Sequence, residues 1–226
     1  MEGFYETKKI FVVAVLFLIV FLIYLTTMDK KVYYLALGDS ISLKYPKQIA
    51  DYLEEKNLLE QYHNEFVIDD MRITDLIRDI KDNKKVVINK KDQTIKNSLI
   101  KADLVTLSIG NEELFYKMKT EKPDNLFNYI DDMMIDMENL FVVLKEYCKE
   151  DIFILGYVNP FSNDMDRYIE YANKKLETLA KKYDISYVSL KELKNEDFNG
   201  SELLAKGNEK IVEQLIPFID KQVIDD

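Results

Sequence analysis

Cysteine and histidine each occur once in the 226 residues, as Cys148 and His63. A lone cysteine excludes an intrachain disulfide, so the fold does not rely on an oxidising compartment. A lone histidine means that any histidine-assisted chemistry depends on where residue 63 falls. Cations are also in deficit, with 31 Lys and Arg against 41 Asp and Glu, a formal charge of −10. Glu2 and Glu6 offset Lys8 and Lys9, so the whole excess lies from Asp29 onward. An acidic domain is a poor partner for nucleic acid or anionic headgroups, which reward clustered Lys and Arg. No internal repeat, low-complexity tract or second domain interrupts residues 29–226.

One long apolar run is present. "IFVVAVLFLIVFLIYL", Ile10 to Leu25, has no charge, and the uncharged stretch continues through Met28. As a helix, about 19 residues reach roughly 28 Å, near the thickness of a bilayer's hydrocarbon core. A cleaved signal peptide is normally shorter in its apolar part and ends in a small-x-small site; this run ends in "YLTTMDKK". Residues 10–28 are therefore expected to be an uncleaved signal-anchor between an N-terminal segment (1–9) and a soluble domain (29–226). Lys8 and Lys9 before the span balance Lys30 and Lys31 after it, so charge alone does not orient it.

The rest alternates apolar runs with amphipathic stretches. Buried strands are expected at 32–37, 65–68, 103–109, 151–157 and 185–188, since continuous apolar runs suit parallel strands covered on both faces. Helices are expected between them: "YPKQIADYLEEKNLLEQY", "TDLIRDI", the long "NLFNYIDDMMIDMENLFVVLKEYC", "DMDRYIEYANKKLETLAKKY" and "KGNEKIVEQLIPFID". Alternation over about 190 residues implies a doubly wound α/β domain. Val86-Val87-Ile88, bracketed by lysines, fits either an edge strand or an extended flap.

In such sheets ligands gather at the carboxyl ends of the strands. There, in "YYLALGDSIS" (33–42), the first strand runs into Gly38-Asp39-Ser40. This block resembles the SGNH, or GDSL-type, hydrolases, and three further blocks follow in the family's order. "ADLVTLSIGNEEL" (102–114) resembles the strand and Gly-x-Asn-Asp-Leu block, with Gly110 at its glycine. "DIFILGYVNPF" (151–161) resembles the fourth strand and its loop in membrane-anchored bacterial members. "LLAKGNEKIVEQL" (203–215) resembles the last helix. The resemblance covers nearly all of the soluble part. It implies a flavodoxin-like three-layer sandwich with a five-stranded parallel sheet.

The family's activity is serine acyl transfer on acyl or acetyl esters, with no cofactor or metal. A histidine, oriented by an aspartate three residues before it, activates the serine; N–H groups and an asparagine hold the oxyanion. The resemblance puts Ser40 at the nucleophile and first oxyanion position. Met71, or Asp70, stands where the family has its second-block glycine. Glu112 occupies the asparagine position, with Asn111 one residue early and able to serve only if the loop slips. Counting back from Gly207, the Asp-x-x-His falls on Asn199-Gly200-Ser201-Glu202. The acid and the base are both replaced, and losing the base in related serine chemistry costs roughly a millionfold. His63, in "EQYHNEF", is expected in a solvated loop at the opposite, amino-terminal edge of the sheet.

A degenerate domain that binds an acyl or acetyl ester, or a protein partner, is the expectation, with an esterase that uses Glu202 or Glu112 as base, or a membrane-tethered binding or scaffold protein, as alternatives. The resemblance also implies an extracytoplasmic domain on a single-pass anchor, its pocket sampling lipid or glycan esters of the envelope close to the bilayer. Asp69-Asp70 and Asp131-Asp132-Asp136 read as solvated acidic faces, because no Gly-containing calcium loop or His or Cys partner accompanies them. Met133, Met134 and Met137 read as core filler.

Overall fold

A computed structural model describes Val15, Phe17 and residues 31–88, 90–161 and 165–224. The chain divides into two units, Met1–Lys31 and Val32–Asp226. The expected anchor at 10–28 lies outside the described residues except for Val15 and Phe17. Among the described residues no helix is long and apolar enough to cross a membrane.

The second unit is built on five parallel strands: β1 (Val32–Gly38), β2 (Leu59–His63), β5 (Leu104–Ser108), β6 (Asp151–Leu155) and β7 (Ser186–Val188). Their order is β2-β1-β5-β6-β7. Tyr34 to Gly38 pair with Leu104 to Ser108, and Leu104 to Leu107 pair with Asp151 to Ile154. Alternation along each strand sends side chains to two separate cores. Tyr33, Leu35, Leu37, Val105 and Leu107 face one layer of helices: α2 (Ile73–Lys81), α3 (Ile95–Lys101), α5 (Pro123–Tyr147) and α6 (Asp166–Lys182). Tyr34, Ala36, Leu104, Phe153 and Leu155 face α1 (Tyr45–Glu55) and α7 (Ala205–Ile219). The remaining helix, α4 (Asn111–Thr120), follows β5 directly and contributes Leu114 to the first core and Phe115 to the second. Each buried Leu, Ile or Phe contributes about 1.5–3 kcal/mol of burial energy, so the sheet gains stability from both faces.

Two expectations need correction. The second strand is not 65–68 but Leu59–His63. Helix α1 stops at Glu55, and Asn57, with φ of 57°, reverses the chain so that Leu58 N–H bonds back to Leu53 O at 2.8 Å. β2 has only β1 beside it and is partly exposed, so its sequence "LEQYH" lacks the continuous apolar run of an inner strand. Val67 keeps a single parallel bridge, to Gly38. The Val86–Ile88 run is β3 (Lys85–Ile88), paired antiparallel with β4 (Lys91–Thr94) in a separate two-stranded ribbon. It is a flap rather than an edge strand of the main sheet. A third small ribbon, β8 (Phe198–Asn199) with β9 (Glu202–Leu203), precedes α7.

Candidate active site

The site begins where β1 bends. Gly38 has φ of 129°, and a Cβ there would lie 1.9 Å from Ser108 O, so the close approach of β1 to β5 admits only glycine. Asp39 N–H then bonds to Ser108 O at 2.9 Å, and residues Ser40–Leu43 form a 3-10 turn. The Asp39 side chain is fully buried. Its carboxylate accepts from Ile41 N at 3.2 Å and from Asn111 N at 3.0 Å, joining the turn to the start of α4. Burial pushes its pKa up to about 8 against the pull of the Ile41 N–H, and the Glu112 charge adds to the rise.

Across the cleft, β5 ends at Ser108, and Gly110, with φ of 89°, opens α4. Glu112, in the first turn, meets Ser40: the Ser40 hydroxyl donates to Glu112 Oε1. Asn111 is turned the other way and is fully buried. Its Nδ2 donates to Ser108 Oγ at 3.2 Å, and its Oδ1 has no partner among the described residues. The slipped-loop role expected of Asn111 is therefore not met. Its amide faces the sheet, and the carboxylate of the next residue takes the place beside the serine.

The loop before α2 supplies the third wall. Ile68 N–H bonds to Gly38 O at 3.1 Å, anchoring the loop on the end of β1. Asp70, with φ of 58°, adopts the left-handed backbone that the family's glycine would take readily. Met71 is buried, and its N–H is committed to Ile68 O at 3.2 Å. Met71 thus lacks the free N–H that an oxyanion donor requires. Glu113 reaches over from α4 and accepts from Ile73 N at 3.1 Å.

The fourth wall is the β8–β9 ribbon. Asn199 pairs with Glu202, with Gly200 at φ of 66° in the turn. Glu202 extends into solvent, its side chain 68% exposed, and contacts Lys44 Nζ at 3.3 Å. Ser40 and Glu202 line one cavity of about 330 Å³ together with Leu43, Lys44, Asp70 and Asn208. A neighbouring cavity of about 580 Å³, lined by Arg72, Phe115, Tyr116 and Tyr129, shares Asp70, Glu112 and Ser201 with it.

Asp197 belongs to none of the four blocks. Its fully buried carboxylate accepts from Lys194 N at 2.9 Å and Lys210 Nζ at 2.6 Å, fastening the ribbon to α7. Burial alone would raise its pKa, but Lys210 and the Lys194 N–H outweigh that and hold it below the usual range. Spacing gave no cue, because Lys210 is brought to it by the turn of α7.

His63 is not a loop residue. It ends β2, its ring stacks on Tyr33 at 5.0 Å, and Nδ1 lies 3.1 Å from Glu65 Oε2. The contacts of Ser40 among the described residues do not include it. The arrangement presents a serine hydroxyl to a carboxylate, with no imidazole at hand. A carboxylate can take a proton, but its charge opposes a negative oxygen developing nearby.

No family model and no curated protein sequence matches the chain. Solved structures do. A lipase from a goat rumen metagenome superposes with a TM-score of 0.64 at 16% identity, over 81% of this chain and 95% of that one. Axe2, an acetylxylan esterase from Geobacillus stearothermophilus, gives 0.65 at 14% identity, over 88% and 98%. TesA gives 0.60 at 13% identity, over 82% and 97%. Four blocks in order, a 2-1-5-6-7 parallel sheet and these superpositions lead to one conclusion: the chain has the fold of the SGNH, or GDSL-type, hydrolases.

Proposed function

We propose that this is a degenerate SGNH-type domain that holds an acyl or acetyl ester ligand beside Ser40 with weak or no serine-esterase turnover. We further propose that residues 10–28 tether it to the cell membrane as a single-pass anchor with the domain outside. The observation that carries the first reading is the hydrogen bond from Ser40 to Glu112. It pairs the nucleophile position with a carboxylate where the family keeps a neutral amide donor. The family's histidine position is Glu202, which is directed to Lys44 and solvent. Attack on an ester would build negative charge next to Glu112, and Lys44, the cation lining the cavity, is engaged with Glu202.

The same bond favours one second reading, a Ser40–Glu112 pair in which the carboxylate is the general base. Release of p-nitrophenol from p-nitrophenyl acetate separates the two, using the full-length chain, Ser40→Ala and Glu112→Gln. Equal rates in all three, at the level of free side chains, are expected. Turnover that disappears in both variants would establish the pair as an esterase and sink the degenerate reading.

A further inference from the structure

Seven of the chain's 31 Lys and Arg fall within one stretch of 21 residues. Residues 81–101 hold seven lysines against two aspartates, a local charge of +5 where the whole chain carries −10. They fold as the end of α2, the β3–β4 ribbon and α3. In the ribbon Val86 pairs with Gln93 and Ile88 with Lys91, sharing one face; Lys85 pairs with Thr94 and Val87 with Asp92, sharing the other. The first face is fixed to the domain. Val86 packs on the core, and Gln93 Nε2 donates to Tyr33 Oη at 3.0 Å and Ser98 Oγ at 2.8 Å. The second face carries Val87, 73% exposed. Exposed Lys85 shares that face, exposed Lys90 and Lys91 lie at the turn next to it, and Ile100 of the adjoining α3 is 65% exposed. Asp79 holds Lys84 at 2.6 Å and Asp92 lies 3.9 Å from Lys85, so of the ribbon's own lysines Lys90 and Lys91 are the two without an ion pair among the described residues.

The location matters as much as the charge. Tyr33 is the second residue of β1, so the ribbon stands at the amino-terminal edge of the sheet, opposite Ser40. The chain enters that edge at Val32, four steps after Met28, a reach of at most about 15 Å. If 10–28 is an anchor, this edge is within chain reach of the bilayer surface.

We propose that the β3–β4 ribbon is a second membrane contact, with its lysines on anionic phosphate headgroups and Val87 in the interface. Lysines near an anionic leaflet act additively and are screened by salt, and an exposed apolar residue among them adds a non-ionic component. The overall charge of −10 conceals this surface because 39 of the 41 acidic residues lie outside residues 81–101. With the ribbon on the bilayer, a seven-residue β1 separates Ser40 from it by roughly 20 Å. The pocket then takes esters from beyond the bilayer surface, instead of sampling lipid directly.

The proposal uses the anchor reading for proximity, and one experiment tests the two separately. The chain contains no tryptophan. Val87→Trp in the full-length protein therefore gives a single reporter at an exposed position. The protein is added to phosphatidylcholine vesicles, with or without phosphatidylglycerol, containing brominated lipid; flotation in high salt is scored alongside quenching. The expected result is flotation with both vesicle types, but quenching only with the anionic ones, falling at least about tenfold in strong salt or with Lys90→Glu/Lys91→Glu. Flotation without quenching overturns the ribbon contact and leaves the anchor standing. Salt-sensitive quenching without flotation on neutral vesicles sustains the ribbon and removes the anchor. Equal quenching on neutral and anionic vesicles overturns the headgroup contact. An equal spectral shift with soluble polyphosphate and no vesicle preference assigns the ribbon to a soluble polyanion instead.

Discussion

Asp39 is sealed from solvent at the bend after β1, and its two N–H partners do not fully replace the water it has lost. Its pKa of about 8 in the folded chain stands above an unfolded value near 3.9. Between those values the native state holds a proton that the unfolded chain has released. The associated stability is fully present below about pH 4 and is lost as pH rises through about 8. Urea unfolding from pH 5 to pH 8 should therefore show wild-type stability declining, on the order of a few kcal/mol. Asp39→Asn, uncharged throughout, should flatten the decline. Parallel curves for the two proteins would rule out Asp39 as its source. Asp197 works in the opposite direction: its pKa is held low, so its contribution is lost as the medium becomes acid. It belongs to a different pH window.

At the scale of elements, α4 organises the site by reaching in three directions from its first turn. Asn111 N–H goes to Asp39, Glu112 to Ser40, and Glu113 to the start of α2. Helix α2 needs that help, because Arg72 precedes it without a side-chain cap and the first N–H groups of a helix lack internal partners. Burial raises the Glu113 pKa, with the Ile73 N–H opposing. Glu113→Ala should cost about 1–2 kcal/mol, as lost caps do, and should accelerate amide exchange at Ile73 above all other amides of α2. Unchanged exchange at Ile73 would mean that the bond does not cap α2 in solution. An edge strand with one neighbour is free to be polar, so a hydrophobic run does not mark β2 in the sequence.

At the scale of the molecule, the sheet order brings the four blocks to one rim, and the cavity shared by Ser40 and Glu202 joins residues 162 positions apart. If the architecture survives and only the chemistry is missing, restoring the family's groups should restore turnover. Asn199→Asp with Glu202→His and Glu112→Asn supplies the acid, base and neutral donor together. Serine-dependent release of p-nitrophenol should rise at least about a hundredfold over wild type, the scale of a single oxyanion donor. A folded variant with no gain would show that the ribbon does not carry residue 202 into reach of Ser40. The sequence by itself determined the strand–helix alternation and the order of the four blocks, because these rest on hydrophobic pattern and local spacing. Only the tertiary structure decided which carboxylate meets Ser40. Asn111 and Glu112 are adjacent in sequence, and it is the left-handed Gly110 and the bond from Asn111 N–H to Asp39 that turn one inward and leave the other facing the serine.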